Sequence, residues 1–153
     1  KRKFADGDMI TVDLTLRYKG YVSDATRTFG LGTISKEKRT VYEIVKESQK
    51  AGLKAVKPQK TCASVDNACR KIIEEHSYGP HFIHSTGHGI GLDVHENPSI
   101  SSKSKEKLKK DMAITVEPGI YISKKFGVRI EDSLIVKDRT DVMHKFTKDL
   151  IVI

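Results

Sequence analysis

The sequence predicts an α+β fold, a mainly antiparallel sheet with helices covering one face, and three observations point to it. Two stretches near the N-terminus alternate polar and apolar residues across a short turn. Two longer stretches with helical periodicity follow, and alternation returns after residue 112.

From Met9 to Leu16, Ile10, Val12, Leu14 and Leu16 face one side while Thr11, Asp13 and Thr15 face the other, which describes a strand with one polar face. Tyr18-Lys19-Gly20 supplies a turn, and Tyr21–Phe29 reads as the returning strand, with Val22, Asp24, Thr26 and Thr28 on a shared face. Asp13 and Asp24 therefore sit on paired strands. Ser35 is a suitable N-cap, and Val41, Ile44, Val45, Ala51 and Leu53 recur at near-helical spacing until Pro58 closes the segment. Val65, Ala68, Cys69, Ile72 and Ile73 form the stripe of a second helix, which Gly79-Pro80 is expected to end. The stretch His81–Glu96 then carries four of the six histidines and three glycines, a composition foreign to a packed core. Met112–Glu117 alternates again, Pro118-Gly119 turns the chain, and Val128–Val136 is expected to be one strand with Arg129, Glu131 and Ser133 on the face opposite Val128, Ile130 and Asp132.

A length of 153 residues suits one domain, and such a chain buries roughly 68–70% of its unfolded surface, enough to fold without disulfides or a structural metal. With 37% apolar and 31% charged residues, wholesale disorder, collagen and coiled coil are excluded. No apolar run approaches the roughly 20 residues of a bilayer crossing, and no apolar signal segment follows Lys1-Arg2-Lys3, so a soluble cytoplasmic protein with no membrane partner is expected. The net charge of +8 raises the question of a nucleic-acid partner, but the lysines are scattered except in Lys103–Lys110, where Ser and Glu intervene, and a solvated face is the favoured reading. Cys62 and Cys69, seven apart on a predicted helix, would be separated by about 10.5 Å along its axis, too far for a disulfide. Core thiols of an intracellular protein are expected. The chain opens at Lys1 and runs at once into strand-like sequence, so the N-terminus is expected to be a cut one.

Four carboxylates on polar strand faces, Asp13, Asp24, Glu117 and Glu131, together with a histidine between glycines, His88, match a metal site of hard oxygen donors and one imidazole. Any one of them alone would be an ordinary solvent-facing strand residue. Asp and Glu are disfavoured in strands and repel one another unless a cation lies between them, so the set carries more weight than its members. Gly87-His88-Gly89-Ile90-Gly91 lacks the strand, lysine and helix of a phosphate loop, and the zinc-protease pattern HExxH is absent. His84 and His88 would share a helix face, but Gly87 and Gly89 argue against a helix there.

The residues VDLTLRYKGYVSDATRTF, HSTGHGIGLDVHE, TVEPGIY and VRIED, in this order, resemble the pita-bread metallopeptidases, and most closely the Xaa-Pro dipeptidases (prolidases) and Xaa-Pro aminopeptidases. The resemblance covers nearly the whole chain. It implies that Asp13 holds one metal through both oxygens, that Asp24 and Glu131 bridge two metals, and that His88 and Glu117 complete the second. It further implies substrate-pocket roles for His84 and His95, proton transfer by Glu117, and a bracing role for Arg129 beside a carboxylate ligand, with Tyr121 a weaker candidate. Thr15 stands where the family commonly has Gly, and is expected to crowd that strand without touching the metal.

The function so implied is hydrolysis of Xaa-Pro peptide bonds at two divalent ions, Mn expected, with Co or Zn as alternatives. The intact protein is expected to be a homodimer. Residues 1–153 are expected to hold the last hairpin of the first half of the pita-bread domain and all of the second half. Methionine aminopeptidase shares several motifs, but Val128-Arg129-Ile130-Glu131-Asp132 points to the proline-directed branch. A non-catalytic pita-bread module that binds nucleic acid or protein is the alternative from another class; such relatives typically lose metal ligands, and none is lost here.

Overall fold

The computed structural model describes residues 2–153. Strands β1 (Met9–Tyr18) and β2 (Tyr21–Gly30) are followed by helices α1 (Lys36–Ala55) and α2 (Cys62–Glu75). After a 3-10 turn at Gly79–His81 come β3 (Gly87–Gly89), β4 (Glu96–Ile100), β5 (Ala113–Val116), β6 (Gly119–Ile122), β7 (Phe126–Arg129), β8 (Asp132–Ile135) and β9 (Asp141–Val142). The hairpin β1–β2, a five-stranded sheet in the order β4-β3-β5-β8-β9 and the hairpin β6–β7 are all antiparallel, so the architecture is α+β as the sequence predicts.

The first hairpin turns through Lys19 and Gly20, both with positive φ (48° and 89°), the conformation that joins two strands without splaying them. Its register sets Thr11 opposite Thr28, Asp13 opposite Thr26 and Thr15 opposite Asp24. Directly opposed residues project from the same face of a sheet, so one polar face gathers two aspartates and four threonines. The opposite, apolar face is open: Leu14 and Leu16 are 59% and 67% exposed.

Both helices begin on a capping side chain. The Ser35 hydroxyl accepts from the Lys38 amide at 3.4 Å and that of Thr61 from the Ser64 amide at 3.2 Å. Val41, Ile44, Val45, Val65, Cys69 and Ile73 pack from the helices against Ile100, Ile114, Val116, Ile120, Val128, Ile130 and Leu134 of the strand region. The helices cross at Gly52, where a β-carbon would lie 2.4 Å from the Cys69 sulfur. Cys62 and Cys69 are free and buried, and burial pushes the Cys69 thiol up to about 12.

Two boundaries depart from the sequence reading. The second helix ends at Glu75, short of Gly79-Pro80, because Ser77 adopts φ 66° and the chain leaves the helix there. Val128–Val136 is not one strand: β7 pairs with β6, β8 with β5, and the chain changes partner across Ile130-Glu131. In that gap the Glu131 amide donates to the Thr26 carbonyl (3.0 Å) and Arg27 Nη1 donates to the Glu131 carbonyl (2.5 Å), so β2 substitutes for a sheet neighbour. The seam is locked by buried Asp132, whose carboxylate meets Arg27 (2.7 Å), Lys148 (2.6 Å) and Gln49 Nε2 (2.9 Å). Buried on both sides, the segment shows no alternation of exposure.

Candidate metal centre

Asp24 on β2, His88 on β3 and Glu131 at the β7–β8 break bring one ligand atom each within 4.8 Å of one another. Local sequence explains how His88 gets there. A β-carbon on Gly87 would lie 2.1 Å from the Thr115 carbonyl oxygen, and one on Gly89 2.2 Å from that of Asn97. The neighbouring strands therefore close in on both flanks, and the imidazole is the one side chain β3 presents. His88 Nδ1 lies 2.9 Å from the Gly89 carbonyl, which can only accept, so Nδ1 carries a proton and Nε2 is turned to the carboxylates. Nε2 stands 3.3 Å from Glu117 Oε1 and 3.8 Å from Asp24 Oδ2. Burial lowers the His88 pKa, but the hydrogen bonds to Glu117 and the Gly89 carbonyl, with the charges of Glu117 and Glu131, outweigh it and raise the imidazole overall.

Glu131 is 2% exposed. Its Oε2 accepts from Thr26 Oγ1 at 2.6 Å, while Oε1 is buried with no hydrogen-bond partner. Burial, then the charges of Glu117, Asp24 and Asp13, push its carboxyl up to about 8. Asp24 is also raised, chiefly by burial and by Asp13, against a hydrogen bond from Thr15 Oγ1 at 3.0 Å. A buried carboxylate oxygen without a donor, crowded like charges and an imidazole nitrogen turned toward them are the features a hard divalent cation would satisfy together. These residues fit such an ion.

The other residues singled out in the sequence line the adjoining cleft, of about 350 Å³, where Asp13, His84, His88, His95, Glu117 and Arg129 meet. Asp13 lies outside the tight trio, half exposed, with its carboxylate bound by Arg129 Nη2. Arg129 Nε donates to Thr26 Oγ1 (3.1 Å) and lies 4.0 Å from Glu117 Oε2, while Nη1 donates to Tyr121 Oη (3.1 Å). His84 Nδ1 lies 2.8 Å from the Ser85 carbonyl and so bears the proton; its Nε2 accepts from Tyr121 Oη at 2.9 Å. The donors thus run in one direction, Arg129 to Tyr121 to His84. Burial raises the Tyr121 phenol despite the opposing charge of Arg129, which keeps it a donor. The His95 ring lies 4.4 Å from that of His88, tilted by 55°.

Two roles lay beyond the sequence reading, those of Thr26 and Thr15, and a third, that of Tyr121, was only a weaker candidate in it. Tyr121 occupies the junction between Arg129 and His84, where the sequence supports a packed strand aromatic as well. Thr26 serves both Glu131 and Arg129, and its one advance signal is its place on the face of Asp24. Thr15, expected only to crowd its strand, donates a hydrogen bond to Asp24.

The description of metallopeptidase family M24 matches residues 1–138. The Xaa-Pro dipeptidase of Pyrococcus furiosus is 46% identical over 137 residues, covering 90% of this chain and 39% of that protein. Among solved structures, the prolidase of Thermococcus sibiricus superposes with a TM-score of 0.96 at 44% identity, over 99% of this chain and 42% of that one. The X-Pro aminopeptidase of Thermotoga maritima gives 0.93 at 39% identity, over 97% and 42%. The chain thus spans about two-fifths of the curated relatives it matches, 39% and 43% of the two Pyrococcus dipeptidases. Its architecture is the C-terminal part of the pita-bread fold. With a family match across most of its length and a relative at 46% identity, this chain belongs to metallopeptidase family M24.

Proposed function

We propose that the intact protein hydrolyses Xaa-Pro peptide bonds, in dipeptides or at the N-terminus of longer peptides, with two divalent cations held by Asp13, Asp24, His88, Glu117 and Glu131. The observation that carries the reading is the buried Glu131 carboxylate, whose Oε1 has no hydrogen-bond partner and which offers a ligand atom within 4.8 Å of those of Asp24 and His88. Mn is the expected ion for a set of four carboxylates and one imidazole, with Co or Zn as alternatives. Bound there, such ions would polarise the scissile carbonyl and acidify water.

This chain's residues supply the rest. Thr15, Thr26 and Arg129 orient the carboxylates of Asp24, Glu131 and Asp13, fixing the donor geometry before an ion arrives. Glu117, at the cleft wall beside His88 and Arg129, is placed to take a proton from water and return it to the departing proline nitrogen. His84, fed by Tyr121, and His95 flank the space where the peptide carbonyl would lie. All five ligand positions are filled by metal-binding side chains, which supports a peptidase over a module that only binds. Two free buried cysteines fit the cytoplasmic setting, and homodimerisation of the intact protein is proposed with it.

The test is hydrolysis of an Ala-Pro dipeptide and an Ala-Pro-Ala tripeptide by the intact protein, stripped with chelator and then reloaded with Mn²⁺. Turnover that disappears on stripping and returns on reloading is expected, and the preferred peptide identifies the branch. Intact peptides after reloading, or turnover indifferent to chelator, would contradict the proposal.

A further inference from the structure

Outside the cleft, α2 carries an ion pair on a buried carboxylate that the chemistry above does not use. Asp66 is fully buried, and Arg70, one turn later, meets its carboxylate with Nε at 2.8 Å and Nη2 at 3.0 Å. A structural pair would end there. Arg70 instead spends its remaining donors on the loop leading into β3: Nη1 donates to the Phe82 carbonyl and Nη2 to the His84 carbonyl, each at 3.0 Å. Its guanidinium also stacks over Phe82, 4.1 Å from the ring centre, and Phe82 in turn meets the His84 ring edge-on at 5.2 Å. Asp66 Oδ1 grips the far end of the same loop, accepting from the Thr86 amide (3.2 Å) and hydroxyl (2.9 Å). The Thr86 carbonyl then accepts from the Glu117 amide at 2.7 Å.

We infer that Asp66 and Arg70 form a clamp that positions the 82–86 loop, and through it the His84 imidazole, for peptide hydrolysis. His84 is held at both ends: Arg70 fixes its carbonyl and Tyr121 its Nε2. A planar guanidinium is suited to this work because one rigid fork serves a carboxylate and two carbonyls at once, which a lysine ammonium on a flexible stem cannot reproduce. Both clamp residues act through others and touch neither ion nor substrate, so they are positioning residues.

The inference rests on the proposed hydrolysis for its kinetic arm and stands apart from it in a second arm. The variant is Arg70→Lys in the intact protein, which keeps a cation beside buried Asp66 and so avoids stranding a charge; Arg70→Gln serves as the harsher companion. With Mn²⁺ loaded, kcat for Ala-Pro falls by roughly 10–100-fold, the scale typical of lost orienting partners, while KM changes by less than about threefold and bound metal is unchanged. In a His84→Gln background the same Arg70→Lys change lowers kcat by less than about twofold, since the group being positioned is gone. Independently of turnover, amide hydrogen exchange accelerates in residues 82–87 and not in α1 or the β1–β2 hairpin. Equal kcat losses in the two backgrounds, or unaltered exchange at 82–87, would overturn the clamp. A wild-type protein without turnover would refute the hydrolysis alone, and the exchange result would still decide the clamp.

Discussion

Glu131 keeps one carboxylate oxygen on the Thr26 hydroxyl and leaves the other buried and bare. This has a pH signature in metal-free protein. With its folded pKa raised to about 8 from an ordinary 4.5, the stability it contributes is complete below its unfolded pKa and is lost as pH rises through the folded one. The melting temperature of chelator-treated protein should therefore fall between pH 5 and pH 8.5, with raised Asp24 adding in the same direction. Mn²⁺ should flatten that slope, and Glu131→Gln should flatten it without metal; a Gln variant with the wild-type slope would contradict the assignment. Arg129→Ala removes the partner of Asp13, Tyr121 and Thr26 but no proposed ligand. Its turnover should drop by about 10–100-fold with metal still bound, milder than loss of a ligand. The carboxylates and His88 were legible in the sequence because acidic residues are costly on strands and glycine-flanked histidines are foreign to cores. Thr26, Asp66 and Arg70 were not, and Tyr121 only weakly, because each gains its role from a segment further along the chain, and its type alone fits ordinary packing or an i,i+4 helix pair equally well.

At the scale of elements, β3 is three residues long and depends on two glycines that let β4 and β5 approach. Gly87→Ala would drive a methyl onto the Thr115 carbonyl, in backbone that cannot retreat. A loss of roughly 1–3 kcal/mol is expected, as for overpacking in a well-packed core, together with weaker metal binding because His88 shifts with its strand. Denaturant titration checks the first and Mn²⁺ titration the second; a variant with unchanged midpoint would show β3 to be more tolerant than its contacts imply. The hairpin and both helices were legible from periodicity. β3, β4 and the partner change at Ile130-Glu131 were not: three to five residues carry too little pattern, and a segment buried on both sides gives no alternation to mark where one strand ends.

For the whole molecule, the apolar side of the first hairpin leaves a run of large side chains open. Leu14, Leu16, Tyr18 and Tyr21 are all more than half exposed, and a groove of about 300 Å³ lies between Val12, Leu14, Ala25, Phe29 and Phe146. Exposed apolar strand faces promote association. Residues 1–153 expressed alone are expected to self-associate and to show weak activity or none, whereas a protein of its relatives' full length should cover this face. Light-scattering mass and Ala-Pro turnover of the two side by side test this, and a compact, fully active 1–153 monomer would refute it. Asp13, Asp24, His88, Glu117 and Glu131 are proposed to hold two cations together, and the most direct test of this is equilibrium dialysis of the intact protein against Mn²⁺. Two ions per chain in wild type, falling to one or none in Glu131→Ala, is the predicted result; an unchanged stoichiometry of two in the variant would contradict it.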